Sequence, residues 1–238
     1  GGGDSLTVLT APAGAGKTST LGAAAAAWQQ DRYRVIGLAP SARAAAELGV
    51  ATGTRTDTLA KLIHALHSDN PVPDWVQSIG PDTLVVIDEA GMAGTAELAT
   101  AITYVLGRGG SVRLIGDDQQ LAAIGAGGVL RDLAETHGAV TLSQVMRFTH
   151  PDTGAPNHAE GAASLALRKG DPAALGYYID HSRVHVGDNT TVTEQAYTAW
   201  TADRAAGRDA IMLAPTRDLV VELNNRARSE RLATQPGA

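Results

Sequence analysis

The chain has 238 residues, 44% hydrophobic and 18% charged, a globular balance with room for one or two folded units. It holds no cysteine, which excludes disulfides, thiolate zinc sites and cysteine nucleophiles, and no apolar run approaches the ~18 residues of a membrane span. The net charge of -6 argues against indiscriminate coating of nucleic acid but leaves room for a local basic groove.

These features fit a cytoplasmic protein with no membrane partner. The start, Gly1-Gly2-Gly3, reads as a processing scar or the edge of an excised fragment. Short apolar runs at 6–10, 35–39, 84–87, 112–115 and 139–142 are predicted as strands buried on both faces of a parallel sheet. Helical segments at 18–30, 42–48, 58–67, 95–106 and 127–136 alternate with them. This alternation predicts an α/β domain over 1–150, with ligands at the carboxyl ends of the strands. Trp28 is expected in the core, and His64 and His67 on the surface.

Beyond a turn-rich stretch at 150–156 the texture changes. Helices are predicted at 159–169, 171–178 and 192–206, strands at 184–186 and 211–214, and a last helix from about Asp218. Residues 151–238 therefore read as a linker and the opening of a second α/β domain with too few strands to close a sheet.

The segment 11–18, Ala-Pro-Ala-Gly-Ala-Gly-Lys-Thr, follows the first strand and opens a helix, the context of a phosphate-binding loop. Glycines at 14 and 16 let backbone N–H groups approach phosphates, and the helix dipole favours the anion. The Lys17 ammonium reaches the β- and γ-phosphates, and the Thr18 hydroxyl is placed to coordinate Mg²⁺. The nucleotide-binding set is Gly14, Ala15, Gly16, Lys17, Thr18 and Ser19. The usual pattern opens with glycine, and Ala11 stands there in this chain.

The strand at 84–87 ends in Asp88-Glu89, adjacent acids whose placement is costly without a cation. Asp88 reads as the Mg²⁺ ligand, and Glu89 as the general base that polarises the attacking water. A further strand leads into Gly116-Asp117-Asp118-Gln119-Gln120-Leu121, a polar strand tip able to touch a γ-phosphate. Arg147 lies just past the last strand of the first domain, where an arginine stabilises transition-state charge on phosphate.

Together with 38–45 (Leu-Ala-Pro-Ser-Ala-Arg-Ala-Ala) and 142–147 (Leu-Ser-Gln-Val-Met-Arg), these motifs resemble superfamily one DNA helicases of the RecD-like branch. Within it the chain is most like the helicase domain of TraI/TrwC-type conjugative relaxases. The resemblance covers residues 5 to about 150, and Ala-Pro-Thr-Arg (214–217) looks like the entry into the family's second motor domain. It implies a RecA-like P-loop NTPase, with a central parallel sheet flanked by helices, followed by the incomplete start of a second RecA-like domain. It also implies that Gln120 senses the γ-phosphate and Arg147 contacts it. Pro40, Ser41, Ala42 and Arg43 are implied to lie along single-stranded DNA, with Thr56 and Thr58 as the next contact and Thr216 and Arg217 as contacts from the second domain.

The implied ligands are ATP and Mg²⁺. The implied partners are single-stranded DNA, the remainder of the second motor domain and an N-terminal relaxase domain of the parent protein. The family's later second-domain motifs are missing from this chain, so slow or absent turnover and no unwinding are expected of the isolated chain; the upstream glutamine motif that reads adenine in this family is missing as well. Two alternatives stand beside this reading. One is a P-loop ATPase switch that remodels a protein partner, against which the 38–45 and 116–121 segments argue; the other is a non-catalytic module with a vestigial loop.

Overall fold

The computed structural model describes residues 5–117 and 128–234. Their contacts divide the chain into two compact units, the first running through Ala174 and the second starting at Leu175.

The first unit is built on a six-stranded sheet, β1 (Leu6–Thr10), β2 (Arg34–Ala39), β3 (Arg55–Thr58), β4 (Thr83–Ile87), β5 (Ser111–Gly116) and β6 (Val140–Thr141). The spatial order is β3-β2-β4-β5-β1-β6, and every pairing is parallel. Parallel strands need crossovers, supplied here by α1 (Lys17–Gln30), α2 (Ala42–Thr52), α3 (Leu59–His67), the short α4 (Asp74–Gln77), α5 (Thr95–Gly107) and α6 (Val129–His137). Helix α7 (His158–Arg168) follows within the same unit.

Helices cover both faces, so the central strands are apolar at successive positions and their side chains sort by alternation. Val85 and Ile87 of β4 join Ile36, Leu38, Val112 and Leu114 in one core cluster, closed by Leu62 of α3 and Leu98 of α5. Leu84 and Val86 point to the opposite face, where Leu21 and Ala25 of α1 and Leu48 of α2 close a second cluster. Burying one such aliphatic side chain stabilises the fold by about 1.5–3 kcal/mol. Trp28 packs half-buried against the second cluster, and His64 and His67 are exposed.

Six strands form where five are predicted. The additional strand β3 reads Arg-Thr-Asp-Thr, with no apolar run, and pairs only with β2 at the sheet edge. An edge strand needs little apolar surface, which is why hydrophobic patterning passes over it. The other edge, β6, has two residues, fewer than the four predicted.

The second unit carries the end of α8 (Ala174–Asp180), α9 (Asn189–Ala205) and α10 (Arg217–Thr234). Tyr197 of α9 is buried beneath the Arg226 guanidinium of α10, which lies 3.8 Å above its ring and donates to both carboxylate oxygens of Glu194. The strands predicted at 184–186 and 211–214 are not formed. Val186, Ile211 and Leu213 are each more than four-fifths exposed. Apolar, β-branched composition makes a strand only where a neighbouring strand supplies ladder hydrogen bonds, and these segments have none among the described residues.

Candidate functional site

Because all the paired strands run parallel, their carboxyl ends lie along one edge of the sheet. The segment after β1 is the glycine loop, and it leads directly into α1. Gly14 has φ 83 and Gly16 has φ 75, backbone that residues with a Cβ adopt only under strain. Gly16 occupies the N-cap of α1 with no side-chain capping bond, and no acidic residue stands in the first turn. The first-turn N–H groups of Lys17, Thr18 and Ser19 have no acceptor within the helix by helix geometry, and the dipole there favours an anion.

Asp88 and Glu89 follow β4. The Lys17 Nζ lies 3.0 Å from Asp88 Oδ1 and donates to Glu89 Oε1 at 2.6 Å. All three side chains are largely withdrawn from solvent. Burial alone lowers the Lys17 pKa, but the attraction of Asp88 and the bond to Glu89 outweigh it, so the ammonium holds its proton beyond the usual lysine range. Glu89 sits at φ 51, a left-handed conformation rare for a side-chain-bearing residue, while its N–H donates to Asp88 Oδ1 at 2.8 Å. Strain of this kind concentrates at functional sites.

Two further segments close the pocket. Met146 N–H donates to the Gly14 carbonyl at 2.7 Å, strapping the 145–148 segment across the loop. The Arg147 side chain lies so close to Gly14 that a Cβ there would come 2.9 Å from Arg147 Cβ and collide with its Nε. Asp117, at the end of β5, is 4% exposed and lines the same cavity, bonded through both carboxylate oxygens to the Arg168 guanidinium of α7. The cavity, about 420 Å³, is lined by residues 11–14 and 16–18 together with Glu89, Asp117, Met146 and Arg147. That size lies in the range of small-molecule sites. Positive-φ glycines, an uncapped helix start, a buried ammonium and paired acids suit a metal-bound polyphosphate.

The structure therefore brings Gly14, Ala15, Gly16, Lys17, Thr18, Asp88, Glu89 and Arg147 to one place, with Ser19 in the first turn of α1. Gln120 falls outside the described residues. Sequence patterning missed the Asp117–Arg168 pair and the strap onto Gly14; the one available signal was an acid directly after the apolar run of β5.

The residues expected along DNA in the first unit occupy the far end of the same edge. Ser41 caps α2 by accepting from Ala44 N–H, and Thr58 caps α3 by accepting from Lys61 N–H. Arg43 is 90% exposed, paired with Glu47 one turn on. Pro40 and Ala42 flank the Ser41 cap. Thr56 lies on β3, not beyond the sheet. Its side chain packs where Cβ atoms on Gly37 and Gly49 would collide with it, so its methyl and hydroxyl face the α2–β2 packing. In the second unit, Thr216 caps α10 by accepting from Leu219 N–H, and Arg217 is the helix's first residue.

Residues 1–189 match the AAA domain family model. The conjugal transfer protein TraA of Agrobacterium fabrum is 29% identical over 228 residues, covering 94% of this chain and 20% of TraA. The multifunctional conjugation protein TraI of Escherichia coli K12 is 33% identical over 183 residues, covering 73% of this chain and 10% of TraI. The ATP-dependent RecD2 DNA helicase of Deinococcus radiodurans is 32% identical over 149 residues, covering 61% of this chain and 20% of that enzyme. The chain thus spans a fifth or less of the length of these relatives. Among the described residues no helix is long and apolar enough to cross a membrane. The chain belongs to the AAA domain family of P-loop ATPases, with RecD-like helicases and the conjugative TraI and TraA proteins as its relatives.

Proposed function

We propose that this chain is the ATP-binding and ATP-hydrolysing motor portion of a single-stranded-DNA translocase or helicase, part of a cytoplasmic conjugative relaxase-helicase. The observation that carries the proposal is the meeting of Lys17 with Asp88 and Glu89, from two separate strand ends, within 3.0 Å at the foot of the glycine loop.

In this reading the loop N–H groups and Lys17 bind the β- and γ-phosphates, and Thr18 and Asp88 hold magnesium. Bound magnesium supplies counter-charge to the phosphate oxygens. Glu89 orients the attacking water and accepts its proton, while Arg147 offsets charge that develops on the transferred phosphoryl group. Gln120 is assigned the sensing of the γ-phosphate. Pro40–Arg43 and Thr58 contact single-stranded DNA on the shared sheet edge; Thr56 is retained in that segment through its backbone.

Residues 151–238 are assigned to a linker and part of a second motor domain, from which Thr216 and Arg217 reach the DNA. The exposed apolar segments at 184–186 and 211–214 support this, since pairing with further strands of that domain would cover them. An N-terminal relaxase domain in the parent protein accords with the similarity to TraI and TraA, and turnover by the isolated chain is slow.

The test is Mg-ATP binding by this chain, followed by ATP turnover in the parent protein with and without single-stranded DNA. Binding that vanishes in Lys17→Ala, with DNA-stimulated turnover, is the expected result. Binding that persists in Lys17→Ala overturns the site. Turnover indifferent to DNA, and DNA affinity unchanged in Arg43→Ala, would favour a switch that remodels a protein partner.

A further inference from the structure

Three carboxylates surround a pocket whose proposed ligand is a polyanion. Lys17 engages Asp88 and Glu89, but the third, Asp117, is the most withdrawn, with 2% side-chain exposure against 13% and 29%. A buried carboxylate beside a phosphate chain repels it, because little solvent screens the two charges. The Arg168 guanidinium meets Asp117 in a two-pronged fork, Nη1 donating to Oδ2 and Nη2 to Oδ1. This arrangement fixes the orientation of the carboxylate as well as its charge.

Arg168 is the last residue of α7, and the first turn of that helix is fastened to the other wall of the pocket. Asn157, its N-cap, donates its N–H to the Phe148 carbonyl at 2.8 Å and accepts from Glu160 N–H at 3.0 Å. Gly161 packs so closely that a Cβ there would stand 3.1 Å from the Val145 carbonyl oxygen. One helix of 11 residues, about 16 Å long, thus runs from the segment bearing Arg147 to the strand tip bearing Asp117.

We propose that Arg168 is a positioning residue that holds the Asp117 carboxylate off the phosphate path and so sets how readily the pocket accepts a triphosphate. This rests on the nucleotide-site reading above. Arg168 acts through Asp117 and touches no phosphate itself.

The test is a titration of the full chain with Mg²⁺ and a fluorescent non-hydrolysable ATP analogue. Arg168→Gln is expected to weaken binding by about tenfold or more, and adding Asp117→Asn to restore it to within about threefold of wild type. A pair that merely clamps the fold predicts the opposite, a double variant no better than Arg168→Gln, and that result overturns the proposal. Unchanged binding in Arg168→Gln overturns it as well. If circular dichroism shows Arg168→Gln unfolded, Asp117→Asn alone decides: binding at least as tight as wild type supports the proposal, and weaker binding overturns it. Wild-type binding that survives Lys17→Ala overturns the nucleotide-site reading itself. Binding lost in Lys17→Ala yet indifferent to Arg168→Gln overturns this proposal alone.

Discussion

The Lys17 ammonium bridges Glu89 and Asp88, at 2.6 and 3.0 Å, so one cation from the loop after β1 is tied to two acids from the end of β4. The two strands are not neighbours, since β5 lies between them. The bridge therefore reports the shape of the whole sheet edge, and its parts separate under mutation and pH.

The first expectation concerns pH. The folded pKa of Lys17 lies above its ordinary value: burial lowers it, but Asp88 and Glu89 raise it further. A raised folded pKa means that the pairing stabilises the fold fully below the unfolded pKa and is lost as pH rises through the folded one. Alkaline unfolding of the nucleotide- and metal-free chain, followed by circular dichroism from about pH 9 to about pH 12, will show this loss. Lys17→Met lacks that contribution, so its stability gap to wild type narrows across the same range.

Glu89 combines its proposed role as general base with a strained backbone. Glu89→Gln is expected to keep Mg-ATP binding while turnover in the parent protein falls by about 10²–10⁴. Glu89→Ala and Glu89→Gly both remove the carboxylate, yet the glycine form relieves the left-handed φ of 51. It should be more stable than the alanine form by about 1 kcal/mol in urea unfolding. Equal stability would show that the backbone relaxes in solution.

Gly14 and Gly16 share positive φ but differ in surroundings. A Cβ at Gly14 meets Arg147, whereas one at Gly16 meets nothing within 4 Å. Gly14→Ala should therefore destabilise the nucleotide-free chain more than Gly16→Ala, whose cost is about 1–2 kcal/mol of backbone strain. Adding Arg147→Ala to Gly14→Ala should recover only part of the excess, since it removes the colliding Nε and Cδ but keeps the Arg147 Cβ at 2.9 Å. Chemical denaturation of the four proteins checks the ordering.

The proposed DNA edge offers a stability control. Ser41→Ala removes a helix cap and should cost about 1 kcal/mol. Arg43→Ala breaks only an exposed pair with Glu47, so its stability should stay within about 0.5 kcal/mol of wild type. Single-stranded-DNA affinity lost in Arg43→Ala at unchanged melting temperature would mark a direct contact; a matching drop in melting temperature would mark a folding effect.

The strand and helix pattern of residues 6–116 was legible because β2, β4 and β5 are buried on both faces, which forces nearly continuous apolar runs. The loop with Lys17 and the acids at 88–89 were legible for the complementary reason, since adjacent acids at the tip of a buried strand are costly without a cation to offset them. Polar β3 escaped because an edge strand carries no such apolar demand. The segments at 184–186 and 211–214 misled because apolar composition alone does not supply a neighbour to pair with.

The sequence by itself determined the α/β class, the glycine loop that opens α1 and the polar residues proposed to carry the chemistry, all encoded locally by strand periodicity and glycine placement. Only the tertiary structure decided the strand order that joins Lys17 to Asp88 and Glu89, the seating of Arg147 on Gly14, and the pairing of Asp117 with Arg168. These contacts link residues far apart along the chain, and the packing of helices on the sheet, not any local propensity, sets their distance.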